Sequence, residues 1–463
     1  MSQSAFSKWC KGAKSANVIP ATLHGRDSFV IPTPNDSVGN KWYVRPAGGS
    51  YGTEDGTSYD NAWDGFASIV WGGAGVNPGD TLYVAGTHNE TLTVGASGTD
   101  GAYIKIYNYV ADAGTIDGNS AITSCVDINS CNYIIVDGLD VREPTTNGYI
   151  VQGTSHHVYI RNCTSTLSGN QAFQMLDTAT VYYQNIVGSA STDDGFSMHD
   201  ATTAYIDGAI FSGNAEGINI IATSVLYAKN VTISTSTSYG IRLTTGTPKI
   251  YFYASSNDYL ALIDAGGTAV FEGSVFTHPT GTAVTGVVVN KGTLTAINNK
   301  IHGSDKALVS NESGGTSLLV GNLFYNMGGS NIAAIYNVSG TVGAYNNTII
   351  GTNKATTGIG YRTANLMTGT FSNNIVKTCK YGTFNAGTGT INGANNDFYD
   401  LTTQHQGAQS LSGTLTVDPL LNADYTLQAH SPMRGAGADA GYQTLLLRTT
   451  DWTAPKVYAT ARV

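Results

Sequence analysis

Asp194 and Glu216 are the two residues whose types and spacing could do chemistry, for they stand 22 positions apart in a chain that repeats at nearly that interval. If each repeat is one coil, they become neighbours on adjacent coils, about 4.8 Å apart along the axis. Carboxylates that close raise one another's pKa unless a cation intervenes. Such a pair can act as acid and nucleophile on a glycosidic bond, where retaining chemistry needs a separation of about 5–5.5 Å. The same oxygens could instead hold Ca²⁺, with His199 or Arg242 abstracting a proton beside a uronate carboxylate. The residue types favour neither. Asp177 and Asp200 fall on the turn that follows, and Asn219 on the strand between, which makes them candidates for holding substrate. Against this stands the plainer reading that Asp193, Asp194 and Asp200 are turn formers whose side chains satisfy backbone donors at corners.

These residues depend on a repeat to bring them together, and the repeat can be counted. Gly148, Ala172, Gly195, Gly217 and Gly240 each open a short apolar alternation, as in Gly195-Phe-Ser-Met and Gly217-Ile-Asn-Ile. Tyr159, Tyr182, Tyr205, Tyr227 and Tyr251 keep the same step, and Asn162, Asn185 and Asn230 follow at a turn. The asparagines resume as Asn299, Asn322, Asn347 and Asn374, read here as one column. Asparagine suits a sharp corner because it tolerates left-handed backbone, and stacked amides bond along the axis. Alternation points Phe173, Met175, Phe196, Met198, Ile218, Ile220, Ile241 and Leu243 inward. Gln174, Ser197, Asn219 and Arg242 then face outward, and the column before each anchor reads Asn147, Gln171, Asp194, Glu216, Tyr239. The expected fold is all-β: a single-stranded right-handed parallel β-helix of coils about 23 residues long, in which each coil touches only its neighbours. A helical solenoid would need a 3.6-residue period, which is absent.

Residues 1–40 are polar and lack alternation, and are expected to form an N-terminal arm that orders against a partner. Residues 41–414 are the expected β-helix, with a short amphipathic capping helix over Asn61 to Ile69. Residues 415–463 are the expected closing segment. Composition agrees: Gly is 56 of 463 residues and charged residues are 12%, which suits many short strands and tight turns. A net charge of −9 without a basic cluster argues against nucleic acid and against an anionic membrane surface. It also weighs against a highly anionic substrate, unless local Arg and Lys offset the field. No apolar run reaches the length of a membrane span. The five cysteines lack metal-ligand spacing and read as reduced, partly buried thiols, although Cys125 and Cys131 flank one turn. The first ten residues lack the apolar core of a secretory signal. Tyr182, Tyr205 and Tyr227 are the remaining candidates for substrate binding, since aromatic faces at one spacing form a platform for sugar rings. The alternative is that stacked tyrosines stabilise the sheet.

Three segments carry a resemblance: Asp55 to Trp63 (DGTSYDNAW), Pro78 to Val84 (PGDTLYV) and Leu427 to Pro432 (LQAHSP). With the repeat between them, they make the chain similar to the pectate-lyase-like superfamily of right-handed β-helix proteins over residues 41–455. That superfamily includes polysaccharide lyases, glycoside hydrolases, epimerases and phage tailspikes. The resemblance implies a carbohydrate ligand and, for a tailspike or tail fibre, a homotrimer attached to tail or adaptor proteins through residues 1–40. The expected setting is then the virion tail, with host cell-surface polysaccharide as ligand. A secreted polysaccharide lyase or hydrolase is the alternative, and extracellular its setting. No cofactor is expected, save Ca²⁺ if the chain is a lyase. The Gly-His-Gly and Arg-Ile-Lys triplets of polygalacturonases are absent. Whether the chain cleaves polysaccharide as well as binding it stays open at this point.

Overall fold

The computed structural model describes residues 29–34, 37–277, 286–304, 307–327, 332–355, 358–364 and 369–433. The chain is an all-β, single-stranded parallel β-helix of about 15 turns. It divides into two compact units, residues 27–269 with 291–293 forming one and the remainder the other.

In the first unit the counted registers are the ones observed. Tyr149, Phe173, Phe196, Ile218, Ile241 and Ala261 pair in succession across parallel strands and are all buried. Tyr149 stacks on Phe173 with ring centroids 5.0 Å apart, and each large side chain so buried stabilises its coil by about 2 kcal/mol. On the facing sheet Ile160, Tyr183, Ile206, Ala228 and Phe252 fill the interior. The alternate positions on that sheet face outward and carry Tyr159, Tyr182, Tyr205, Tyr227 and Tyr251, stacked at centroid spacings of 4.8, 5.2, 5.0 and 4.8 Å. Asn162, Asn185 and Asn230 turn the corner with φ of 52°, 52° and 55°, a left-handed conformation that asparagine enters at low cost.

The expected capping helix does not form. Trp63–Asp64 instead pairs with Val44 and Arg45 as a short parallel strand, and only the single 3₁₀ turn Phe66–Ser68 follows. Gly65 lies between them at φ 81°, a backbone that interrupts helix. Residues 29–34, part of the expected free arm, lie against the chain's own tyrosines: Phe29 packs on Tyr205 and Tyr227 at 5.6 and 6.2 Å, and Ile31 is buried beside Tyr103 and Tyr159. Lys229 Nζ donates to the Phe29 carbonyl at 3.1 Å. Residues 1–28 lie outside the described part.

The second unit replaces apolar interior positions with amides. Asn299, Asn322, Asn347, Asn374 and Asn396 are fully buried, and each Nδ2 donates to the next Oδ1 at 2.9–3.1 Å. A second ladder joins Asn290, Asn311 and Asn337 at 2.9 and 3.1 Å. The first ladder does not continue the corner column of the other unit, as the spacing suggested. The corner residues here, one position earlier, are Asn298, Asn346, Asn373 and Asn395 with φ of 56–59°, and Gly321 with φ 64°. Toward the end of the described chain, Leu427, Met433 and Ile375 form an apolar cluster with Leu415 and Leu421 packed against it. Residues 434–463 of the expected closing segment lie outside the described part. The four described cysteines are free and buried, and burial pushes the thiols of Cys125, Cys163 and Cys379 up to about 12.

Candidate functional site

The site lies on the outer side of the sheet that contains Asp194–Met198, Glu216–Ala222 and Tyr239–Gly246. Its construction begins with the anchor glycines. A Cβ on Gly195 would fall 2.9 Å from the Phe211 Cβ, and one on Gly217 would fall 2.3 Å from an Ile233 methyl. Both glycines therefore back onto the interior, and the residue before each is turned outward. Asp194 pairs with Glu216, and Glu216 with Tyr239, in parallel register. Ser197, Asn219 and Arg242 form the next outward column.

Both carboxyls are nearly closed off, Asp194 at 1% and Glu216 at 5% exposure. Arg242 Nη1 donates to Glu216 Oε1 at 2.6 Å, and its guanidinium lies 4.9 Å from the Tyr239 ring centre. Burial pushes Glu216 up from its ordinary value while the Arg242 charge opposes it. Asp194 has no cation of its own. Burial first, then the charges of Asp193 and Glu216, push it up to about 7, against hydrogen bonds from Ser197 and Asn219. The Asn219 Nδ2 contact to Asp194 Oδ2 is long, 3.5 Å. His199 Nε2 lies 3.1 Å from Ser197 Oγ, and burial lowers its pKa, which leaves the ring neutral at pH 7.

Four buried atoms here have no hydrogen-bond partner: Asp194 Oδ1, Glu216 Oε2, Asn219 Oδ1 and Arg242 Nε. Buried polar atoms are nearly always paired in folded proteins, so such a concentration in one place needs a reason. They are two carboxyl oxygens, an amide oxygen and a guanidinium N–H. The structure thus joins Asp194, Glu216, Asn219 and Arg242, with His199 linked through Ser197.

Asp177 and Asp200 stand apart from that group. Asp177 Oδ2 accepts the Gly153 N–H at 2.8 Å and Asp200 Oδ2 accepts the Asp177 N–H at 3.1 Å. Both sit at positive φ, 61° and 62°, so the structure gives them the work of turn formers. Tyr182, Tyr205 and Tyr227 form the expected column on the other sheet, and Phe29 covers part of it. The spacing found the column but not its cover, because nothing in the repeat marks Phe29. Gln171, whose Nε2 donates to Asp193 Oδ2 at 3.3 Å, adds a polar contact to the rim. Among the described residues no group of three or more His, Cys, Asp or Glu is arranged to hold a metal ion.

No family model and no curated protein sequence matches the chain. Solved structures do. Pectate lyase Pel9A is similar at 17% identity over 63% of this chain and 77% of its own, with a TM-score of 0.45. XylC in complex with xylose is similar at 9% identity over 82% and 87%, with a TM-score of 0.48. The A-module of the mannuronan C-5 epimerase AlgE6 from Azotobacter vinelandii is similar at 13% identity over 82% and 91%, with a TM-score of 0.32. The likeness is one of fold alone.

Proposed function

We propose that the chain binds polysaccharide and cleaves it by hydrolysis, with Asp194 as general acid and Glu216 as the charged partner. One observation carries this reading: two register-paired carboxyls whose surroundings treat them differently. Asp194, desolvated and without a cation, keeps its proton close to neutral pH, whereas Arg242 favours the charged form of Glu216. Carboxyls held in opposite protonation states on facing sides of a bond are what glycoside hydrolysis requires. Pairing on adjacent strands about 4.8 Å apart supports the retaining mechanism, in which Glu216 would attack the anomeric carbon while Asp194 protonates the leaving oxygen, and water would then release the sugar from Glu216. Substrate reaches them past Asn219 and the partly exposed Arg242, whose unpaired atoms would take sugar hydroxyls. A calcium-dependent lyase is supported less, since Ca²⁺ takes six to eight oxygen ligands and Arg242 occupies Glu216 Oε1.

The setting we propose is a phage tailspike or tail fibre, with residues 1–40 attaching it to the tail and the β-helix meeting host surface polysaccharide. The anchoring of Phe29 to the tyrosine column supports an arm fixed to the body at its base.

The test is the double variant Asp194→Asn with Glu216→Gln, assayed for new reducing ends on a panel of bacterial surface polysaccharides. Loss of cleavage with an unchanged circular dichroism spectrum is the expected result. Full activity in the double variant would remove the site assignment, and an unsaturated product from the unaltered protein would replace hydrolysis by elimination.

A further inference from the structure

Among the described residues Arg362 is a cation without a counter-ion. It lies on Ile359–Thr363, in the second unit, facing outward between Tyr336 of Ala333–Asn337 and Phe384 of Tyr381–Asn385. Its guanidinium carbon is 4.6 Å from the Tyr336 ring centre and 5.6 Å from that of Phe384. Tyr381 adds a third ring, 5.2 Å from Phe384. The side chain is half-buried and its Nε has no hydrogen-bond partner. Arg142, Arg161 and Arg242 each have a carboxylate within 3.0 Å, and among the described residues Arg362 has none.

Two aromatic faces hold a guanidinium in place and take part of it out of water, but they leave its planar edge without an acceptor. A partly desolvated arginine fixed in one orientation is suited to bidentate recognition of an oxyanion. The surroundings narrow the class further. Tyr336, Arg362, Phe384 and Gln406 form one outward column on four successive strands. Adjacent rungs are about 4.8 Å apart, which is close to the width of a pyranose ring. An aromatic face for the ring, a guanidinium for its charge and an exposed amide one rung beyond for its hydroxyls make a coherent sugar subsite.

We propose that Tyr336, Arg362 and Phe384 form a binding subsite for a sugar that carries an oxyanion, the charge pairing with Arg362 and the ring lying on the aromatic faces. The charge is a carboxylate or a sulfate. The site needs no catalysis, and it supplies a local cation in a chain whose formal net charge is −9.

The experiment is calorimetric titration of the full chain with three probes: an oligogalacturonate, its carboxyl-reduced counterpart and a sulfated galactan oligosaccharide. The unaltered protein should bind one or both anionic probes more than tenfold tighter than the neutral one. Tighter binding of the first names a carboxylate and of the second a sulfate. Arg362→Gln should lower that affinity at least tenfold and abolish the preference, and Arg362→Lys should restore only part of it. Added salt should weaken the anionic binding of the unaltered protein and leave that of Arg362→Gln unchanged. The double variant Asp194→Asn with Glu216→Gln should leave the preference for charge intact, so failure of the hydrolytic reading and failure of this one are separable. Equal affinity for charged and neutral probes, no binding of any probe, or an unchanged preference in a folded Arg362→Gln protein would overturn the proposal.

Discussion

At the scale of single residues, Asp194 determines how the chain should respond to pH. Its carboxyl is pushed from an ordinary value of 3.8 up to about 7 in the folded state. Between about pH 4 and about pH 7 the folded chain therefore holds a proton that the unfolded chain has released. Stability contributed by this group is full below the unfolded value and is lost as pH rises through the folded one. The difference corresponds to roughly 4 kcal/mol as an upper figure. Urea midpoints compared near pH 4.5 and near pH 7.5 should fall with pH, and Asp194→Asn should flatten that fall. Asp397, pushed up to about 6 by its own burial, keeps part of the slope in the variant. Hydrolytic activity should share this upper limit. The rate should drop as pH passes about 7 because the acid has lost its proton, and the acidic limb should lie above the ordinary Glu value because Glu216 is raised. A rate still rising beyond pH 8 would exclude Asp194 as the acid.

At the scale of the repeating coil, two kinds of asparagine bear different loads. Asn322 lies inside: its Nδ2 donates to the Ala296 carbonyl at 2.9 Å and to Asn347 Oδ1, and its Oδ1 accepts from both the backbone and the amide of Asn299. Asn322→Ala orphans a buried N–H and a buried carbonyl, and should cost about 3 kcal/mol or more. Asn185 is exposed at a corner with φ 52°, and Asn185→Gly should be nearly neutral because glycine enters that backbone freely. Thermal melts of the two variants check the contrast, and equal losses would mean that the ladder does no more than a corner. The sequence showed where strands stack, because a fixed period brings Tyr182 beside Tyr205 and Asp194 beside Glu216 whatever lies around them. It did not show depth. Asn298 and Asn299 are adjacent and chemically identical, yet one turns the chain outside and the other bonds within, so a spacing good to one residue merged two columns. The helix expected over Asn61 to Ile69 failed for a similar reason: its apolar residues suit one helix face, but Trp63 had a strand to join and Gly65 took positive φ. The candidate site was legible as far as register reached. For Asp200 the residue type offered both a turn role and a site role, and the backbone bond to Asp177 with positive φ decides for the turn; Asp177 follows it for the same reason.

At the scale of the whole molecule, the tailspike reading predicts three chains side by side, and the surface constrains how they would meet. Among the described residues the exposed large apolar side chains are few and scattered, Leu167 at a bend and Ile210 on a strand among them. Isolated apolar residues do not amount to the patch of several hundred Å² that usually marks an association site. A trimer built from these faces would therefore meet through polar contacts. Its mass by light scattering should be near three times 48.4 kDa. Removing residues 1–28 should lower its stability to dilution while leaving the described β-helix folded, since each coil is held by its neighbours alone. A mass of one chain at all concentrations would set aside the tailspike and leave a free polysaccharide hydrolase, because Asp194, Glu216, Asn219 and Arg242 all come from a single chain. The oligomer and the chemistry thus stand or fall separately.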